Sequence, residues 1–133
     1  MLESRVLPSL FAERGAEAPV RVWIVGCGTG AVAYALTLHL LEARERGRSA
    51  PDVRVFATDA RPLAVHHALM GEIPQEALTG LWPDPSPDRL ARFFTPVPGG
   101  FQARPRIRDR IVFSEHDLVE DAPYARIDLV WCR

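Results

Sequence analysis

A glycine-rich loop between a buried strand and a helix is the feature of this sequence that most restricts its fold. Residues 20–25 read Val-Arg-Val-Trp-Ile-Val, a mainly β-branched and aromatic run typical of a strand buried on both faces. Gly26-Cys-Gly-Thr-Gly30 follows, and residues 31–46 have the composition of a helix that ends at Gly47. The order strand, glycine loop, helix predicts the first part of a βαβ unit.

Further apolar runs extend this unit into a parallel sheet. Residues 53–58 repeat the buried-strand pattern before Asp59, and two more strands are predicted at 111–114 and 127–131. Right-handed crossovers would give a Rossmann-like, doubly wound α/β sheet with the strand order 3-2-1-4. Because the last strand would form an uncovered edge, self-association through that edge is also expected.

Helices and turns are predicted around these strands. Proline accounts for 12 of the 133 residues, above the usual roughly 5%, and it concentrates between residues 62 and 105. That segment predicts helices at 62–69 and 75–81, a third helix capped by Ser86, and an irregular hairpin over 94–102. A short helix before Gly15 is predicted from apolar residues at helical spacing: Leu2, Val6, Leu7, Leu10 and Phe11.

Composition excludes several classes of protein. The formal charge of −1 and the pI near 6.4 provide no overall field for nucleic acid or anionic lipid. No apolar run approaches the roughly 18 residues of a membrane span, so membrane insertion is not expected. Two cysteines cannot staple a secreted domain, and the first residues carry acids where a signal peptide is apolar. We therefore expect a cytoplasmic protein of one domain.

The candidate ligand residues lie at the predicted strand ends. Gly26, Cys27, Gly28, Thr29 and Gly30 permit a tight turn beside a helix N-terminus, which suits an anionic or carboxylate-bearing ligand. The loop also satisfies G-x-G-x-x-G/A, so by itself it does not distinguish a nicotinamide or flavin cofactor from S-adenosylmethionine, or either from a turn without ligand.

Two aspartates follow the next strands of the predicted sheet. Asp59 could accept hydrogen bonds from both hydroxyls of an adenosine ribose, or it could cap the following helix. Asp117 could meet an adenine edge, or it could be an ordinary turn residue.

Other reactive residue types show no catalytic or metal-binding pattern. Cys27 and Cys132 end neighbouring strands, and without C-x-x-C spacing we interpret them as reduced packing residues. The four histidines lack ligand spacing, so no metal site is predicted. A basic run is interpreted as a solvated or substrate-facing surface: Arg104, Arg106, Arg108 and Arg110.

Several linked motifs together resemble the chemotaxis receptor methyltransferases, the CheR family. The similarity is collinear and covers nearly the whole chain, and the Arg-Phe-Phe…Gly-Gly segment is more specific than the glycine loop. The motifs are Arg21-Val-Trp-Ile-Val-Gly-Cys-Gly-Thr-Gly30, Tyr34-Ala-Leu36, Val55-Phe-Ala-Thr-Asp59, Arg89-Leu-Ala-Arg-Phe-Phe94, Gly99-Gly-Phe101, Ile111-Val-Phe113, His116-Asp-Leu118 and Asp128-Leu-Val-Trp-Cys-Arg133.

This resemblance implies S-adenosylmethionine-dependent methylation of glutamate side chains on the cytoplasmic helices of chemoreceptors. Residues 26–30 would line the methionine end of the cofactor and Asp59 its ribose. Asp117 and Leu118 would lie near the adenine, with Cys132 and Arg133 as the far wall. Because the acceptor carboxylate is already an anion and the donor is a sulfonium, alignment matters more than a general base, and no catalytic residue is predicted.

Departures from the family pattern restrict what the chain is expected to do. Two glutamates usually follow the family's glycine loop, whereas this sequence has Ala31 and Val32. The N-terminal helical domain and the C-terminal part of the family are absent from residues 1–133, which would form a partial cofactor domain, inactive by itself. The alternative is a degenerate, non-catalytic cofactor-binding or regulatory module. A nicotinamide oxidoreductase is disfavoured because Gly30 and Asp59 are separated by more than the roughly 20 residues of that fingerprint.

Overall fold

The computed structural model describes residues 6–12, 18–47, 50–81 and 86–132. Leu2, Gly15 and Arg133, which the sequence analysis singled out, lie outside the described residues. In chain order the elements are α1 Leu7–Ala12, β1 Val20–Val25, α2 Ala31–Arg46, β2 Val53–Asp59, α3 Pro62–Met70, β3 Glu72–Pro74, α4 Gln75–Leu81, α5 Pro87–Phe93, β4 Phe94–Val97, β5 Gly100–Ala103, α6 Pro105–Arg108, β6 Ile111–Glu115 and β7 Leu129–Cys132.

The main sheet has four parallel strands in the order β6-β2-β1-β7. In terms of the main-sheet strands this is 3-2-1-4, so the predicted Rossmann-like order is confirmed. Val25 pairs with Thr58 on one side and with Cys132 on the other, while Asp59 pairs with Glu115. This register brings the carboxyl ends of all four strands to one edge of the sheet.

The core lies between this sheet and α2. Val22 and Ile24 of β1, like Val55 of β2, are at most 1% exposed. Apart from the half-buried His39, helix α2 is buried from Ala33 to Glu42, because the sheet covers one of its sides and short helices cover others. Burial of this apolar surface contributes about 25 cal/mol of stabilising free energy per Å² removed from water, and it stabilises the packing of α2 on the sheet. The glycine loop that precedes α2 is thereby held in place.

A small antiparallel sheet of order β3-β5-β4 is inserted between β2 and β6. The predicted hairpin is present as β4 and β5, and Ser86 caps α5 by accepting a hydrogen bond from the N–H of Arg89. Strand β3 was not predicted, because it has three residues including a proline and exists only through its pairing with β5.

The arginines of the basic run lie at the surface, with Arg104, Arg106 and Arg108 exposed, as the interpretation of a solvated surface requires, and each also binds a partner elsewhere in the fold. Arg106 pairs with Glu45 of α2, and Arg110 pairs with Asp52 before β2. Arg104 and Arg108 donate to the carbonyl oxygens of Phe94 and Leu69. These partners are distant in sequence, and so the run by itself could not reveal them. Among the described residues, no helix is both long and apolar enough to cross a membrane.

Candidate functional site

The glycine loop forms a compact turn at the carboxyl edge of the main sheet. Its backbone has positive φ at Gly26, Gly28 and Gly30, with values of 70°, 57° and 95°. The N–H of Cys27 donates to the carbonyl oxygen of Thr58 at 2.8 Å, and the N–H of Gly30 donates to that of Cys27 at 3.0 Å. These bonds anchor the loop to the end of β2 and turn the chain into α2.

Gly30 permits a close approach between α2 and α3. A Cβ atom at this position would lie 2.9 Å from Cβ of Ala68 and 3.2 Å from the ring of Tyr34. The hydroxyl of Tyr34 donates to the carbonyl oxygen of Ala68 at 2.9 Å, which ties the two helices together at the same point. Gly30 is therefore needed for both its backbone conformation and its small size.

Asp59 connects β2 to the glycine loop. Its carboxylate is only 6% exposed, and Oδ2 accepts a hydrogen bond from the N–H of Gly28 at 2.9 Å. The Arg61 guanidinium, followed by backbone N–H donors, lowers the pKa of Asp59 to about 2 despite its burial. Asp59 is therefore an anion near neutral pH, held next to the loop by a bond that the sequence alone did not predict.

Asp117 lies near Asp59 but is used in a turn. The N–H of His116 donates to the carbonyl oxygen of Asp59 at 3.2 Å, which places the segment after β6 beside the end of β2. Oδ1 of Asp117 accepts from the N–H of Val119 at 2.7 Å. Leu118 is 60% exposed. Of the two interpretations of Asp117, the turn role is observed directly; adenine contact stays a prediction for both Asp117 and Leu118.

The two cysteines differ in their environment. Cys27 is buried, and burial, with the Asp59 charge as a smaller contribution, raises its thiol pKa to about 11. Its role as a reduced packing residue agrees with this. Cys132 is exposed at the end of β7, beside Val25, so it is not a packing residue. It lies at the edge formed by the glycine loop, Asp59 and the end of β7, which we call the strand-end crevice. Its predicted partner in the far wall, Arg133, lies outside the described residues.

The sequence analysis missed two residues at this edge. The Arg61 guanidinium binds the Asp59 carboxylate, with Nε 3.0 Å from Oδ1. In the sequence, only the position of Arg61 two residues after Asp59 could have indicated this contact. His116 is 9% exposed, its ring packing against Trp23 and Tyr124 at centroid distances of 5.2 and 5.6 Å. This aromatic cluster covers the sheet beneath the crevice, and no local pattern indicates it.

A cavity of about 420 Å³ opens beside the crevice. It lies between α3 and the small sheet and reaches the glycine loop at Thr29, with His66, His67, Met70 and Glu72 on its wall. Within the described ranges, no group of three or more His, Cys, Asp or Glu could hold a metal ion. Thr29 thus borders a second opening as well as the strand-end crevice.

Comparison with known proteins finds similarity along the whole chain. The family model described as "CheR methyltransferase, SAM binding domain" matches residues 1–133. An uncharacterised 104.1 kDa protein of Rhodobacter capsulatus is 37% identical over 132 residues, which are 99% of this chain and 13% of that protein.

Chemotaxis methyltransferases are also similar. The chemotaxis protein methyltransferase Cher2 of Pseudomonas putida is 28% identical over 100% of this chain and 48% of its own length. The chemotaxis protein methyltransferase of Listeria monocytogenes is 29% identical over 99% of this chain and 47% of its own length. The chain therefore spans about half the length of these two relatives.

Proposed function

The chain belongs to the family of CheR methyltransferase SAM-binding domains, and from this premise we propose that it holds S-adenosylmethionine (SAM) for the methylation of protein carboxylates. SAM is the cofactor that the family implies. The observation that carries the proposal is the 2.9 Å hydrogen bond between Gly28 and Asp59. It puts an ionised carboxylate and a glycine turn at one edge of a parallel sheet, where such sheets bind nucleotides.

The residues present fit most of this cofactor. Asp59 is ionised near neutral pH, and in our proposal it accepts hydrogen bonds from the ribose. The first turn of α2 contains no acidic residue, so its N-terminal N–H groups suit the carboxylate of the methionine moiety. The same absence leaves the amino group of that moiety without a carboxylate in this turn.

The reaction would depend on positioning. When bound, SAM supplies a methyl group on a sulfonium, which is an electrophile for a carboxylate oxygen. The described residues of the crevice would orient the reactants and exclude water, since an ionised acceptor requires no general base. By resemblance, the acceptors we propose are glutamate side chains of chemoreceptor cytoplasmic helices, and the cytoplasm is the proposed location.

Cofactor binding is tested by titrating S-adenosylhomocysteine into the purified chain by calorimetry. This product has no sulfonium charge and requires no chemistry, so the measurement isolates the pocket. We expect saturable binding that Asp59→Ala abolishes and that Glu115→Ala, at the paired position of β6, leaves nearly intact. A chain shown to be folded by circular dichroism that binds nothing would contradict the proposal.

Methyl transfer is tested separately. The chain is incubated with labelled SAM and a chemoreceptor cytoplasmic fragment, alone and within a longer protein that contains it. We expect no transfer by the isolated chain and transfer to glutamate by the longer protein. If the longer protein labels no carboxylate, the proposed activity is wrong even where binding is observed.

A second candidate function, a degenerate regulatory module, is favoured by the absence of an acidic residue in the first turn of α2. Replacing Ala31 and Val32 together by Glu tests it, with the uncharged double Gln variant as the matched control. A large gain in S-adenosylhomocysteine affinity for the Glu pair alone would mark the natural loop as impaired. An unchanged affinity would leave the degenerate interpretation unsupported.

Self-association through β7 is also proposed. Among the described strands, β7 pairs with β1 alone, and its residues Val130 and Trp131 are 54% and 36% exposed. Sedimentation of the chain over a range of concentrations tests it, and a monomer at all concentrations would contradict it.

A further inference from the structure

The acceptor positions of Asp59 are all occupied by donors of the chain itself. Oδ1 accepts from the backbone N–H of Arg61 and from its Nε, both at 3.0 Å. Oδ2 accepts from the N–H of Gly28 at 2.9 Å and from Nη2 of Arg61 at 3.3 Å. Because a carboxylate has about four lone-pair positions, two ribose hydroxyls cannot be accepted unless two of these donors leave.

Only the side-chain donors can leave easily. The N–H of Gly28 is part of the anchored glycine loop, and the N–H of Arg61 lies at the start of α3, where the Arg61 carbonyl accepts from Ala64. Rotating the Asp59 carboxylate would break both backbone bonds. The Arg61 side chain, by contrast, is 73% exposed and can move into water with little change elsewhere.

We propose that the Arg61 guanidinium is a competing latch on the ribose-binding carboxylate, which adenosine-type ligands with a free 2′,3′-diol must displace from Asp59 before they bind. The inference rests on the proposed function, since it concerns the same crevice. It makes Arg61 a residue that sets affinity and ligand choice. A neutral 2′,3′-diol must displace the Arg61 guanidinium, whereas a negatively charged 2′-phosphate on the ribose would keep the guanidinium in place.

The latch predicts that removing the guanidinium strengthens ligand binding. Because the Arg61 partner is 73% exposed, the ion pair is broken at small cost, so Arg61→Ala should raise the affinity for S-adenosylhomocysteine by roughly two- to fivefold. Arg61→Lys should lie in between, because an ammonium keeps the charge but lacks the two-pronged donor geometry. The matched control is Arg54→Ala, which removes an exposed arginine from the opposite end of β2.

The experiment is calorimetric titration of S-adenosylhomocysteine into the wild-type chain and the three variants, with circular dichroism to verify folding. Tighter binding to Arg61→Ala, with no change for Arg54→Ala, supports the latch. Equal or weaker binding to Arg61→Ala overturns it while leaving the proposed function intact.

A second measurement needs no ligand. Nuclear magnetic resonance titration of the Asp59 carboxyl carbon should show its pKa rising in Arg61→Ala and remaining low in Arg54→Ala. An unchanged Asp59 titration in Arg61→Ala would mean that the pair is absent in solution, which refutes the latch. If neither the wild-type chain nor any variant binds S-adenosylhomocysteine, the proposed function and the latch are both refuted.

Discussion

Asp59 is expected to stabilise the fold as well as to bind ligand, and Asp59→Asn separates its charge from its shape. The carboxylate accepts from the N–H groups of Gly28 and Arg61 and from the Arg61 guanidinium. Asn presents one oxygen and one NH₂ group, so its NH₂ would face an N–H donor of Gly28 or Arg61 where the carboxylate had an acceptor oxygen. The variant should therefore lose the link between the glycine loop and the start of α3.

The magnitude follows from the pKa of Asp59. The Arg61 side chain, with the backbone donors, lowers it from 3.8 to about 2. At about 1.36 kcal/mol per unit this corresponds to about 2 kcal/mol, and solvent screening of the exposed Arg61 reduces the expectation to about 1–2 kcal/mol at pH 7. Because the pKa is lower in the folded state, this stabilisation is fully present about a unit above the unfolded pKa of 3.8 and is lost as the pH falls through that value towards 2.

The assay is urea unfolding of the wild-type chain and Asp59→Asn between pH 7 and pH 2. Their difference in unfolding free energy should be constant above about pH 5 and shrink below it. Glu115→Gln is the control, because Glu115 is exposed and lies opposite Asp59 in the backbone pairing of β2 and β6, so its loss of charge should change stability by less than about 0.5 kcal/mol. Equal stability of Asp59→Asn and wild type at pH 7, or a difference that persists unchanged to pH 2, would refute the reasoning.

Further predictions concern the loop, the helix contacts and the thiols. Gly30→Ala should destabilise the chain by about 2 kcal/mol or more in urea unfolding, since φ is +95° and the new Cβ meets Ala68; Gly80→Ala in α4, where a Cβ has open space, should be neutral or stabilising by up to about 1 kcal/mol. Glu42→Gln should lower the unfolding free energy by about 1.5–3 kcal/mol in the same assay, because the buried carboxylate binds Arg89. Burial raises the pKa of Glu42, but Arg89 outweighs it and the pKa is lowered. A loss below about 0.5 kcal/mol would contradict this. Cys132 should react with a thiol reagent in the native chain and Cys27 only after denaturation, which mass spectrometry of the labelled protein distinguishes; rapid native labelling of Cys27 would disprove its burial.

Local patterns were sufficient for the elements that contact the site most directly. Strand β1 and helix α2 have the bounds that hydrophobic patterning and the flanking glycines predict. Strand β2 extends one residue further, to Asp59, and β7 begins two residues later than predicted and ends at Cys132. The observed ends of β2 and β7 differ from the predicted ones because the last residue of a strand depends on its pairing across the sheet, which local patterns do not contain.

The state of the candidate site could not be predicted in the same way. Gly28 and Asp59 lie 31 positions apart in the sequence, and yet in the fold the N–H of Gly28 donates a hydrogen bond to the Asp59 carboxylate. Arg61 fills the remaining acceptors of that carboxylate, and nothing in the pattern of residues 53–70 says whether its side chain turns towards Asp59 or into solvent. Side-chain rotamers at a strand end depend on what the rest of the fold places around them.

The sequence by itself determined the parallel sheet, the position of the glycine loop and the candidate residues at the strand ends. These depend on apolar periodicity and on glycine, whose effects act over a few neighbouring residues. Tertiary structure alone decided that β3 joins the hairpin, that the basic run pairs with α2 and with Asp52, and that Arg61 occupies Asp59. The first two are contacts between distant segments, and the third depends on a side-chain rotamer at a strand end; each is decided only when the chain has folded around its core.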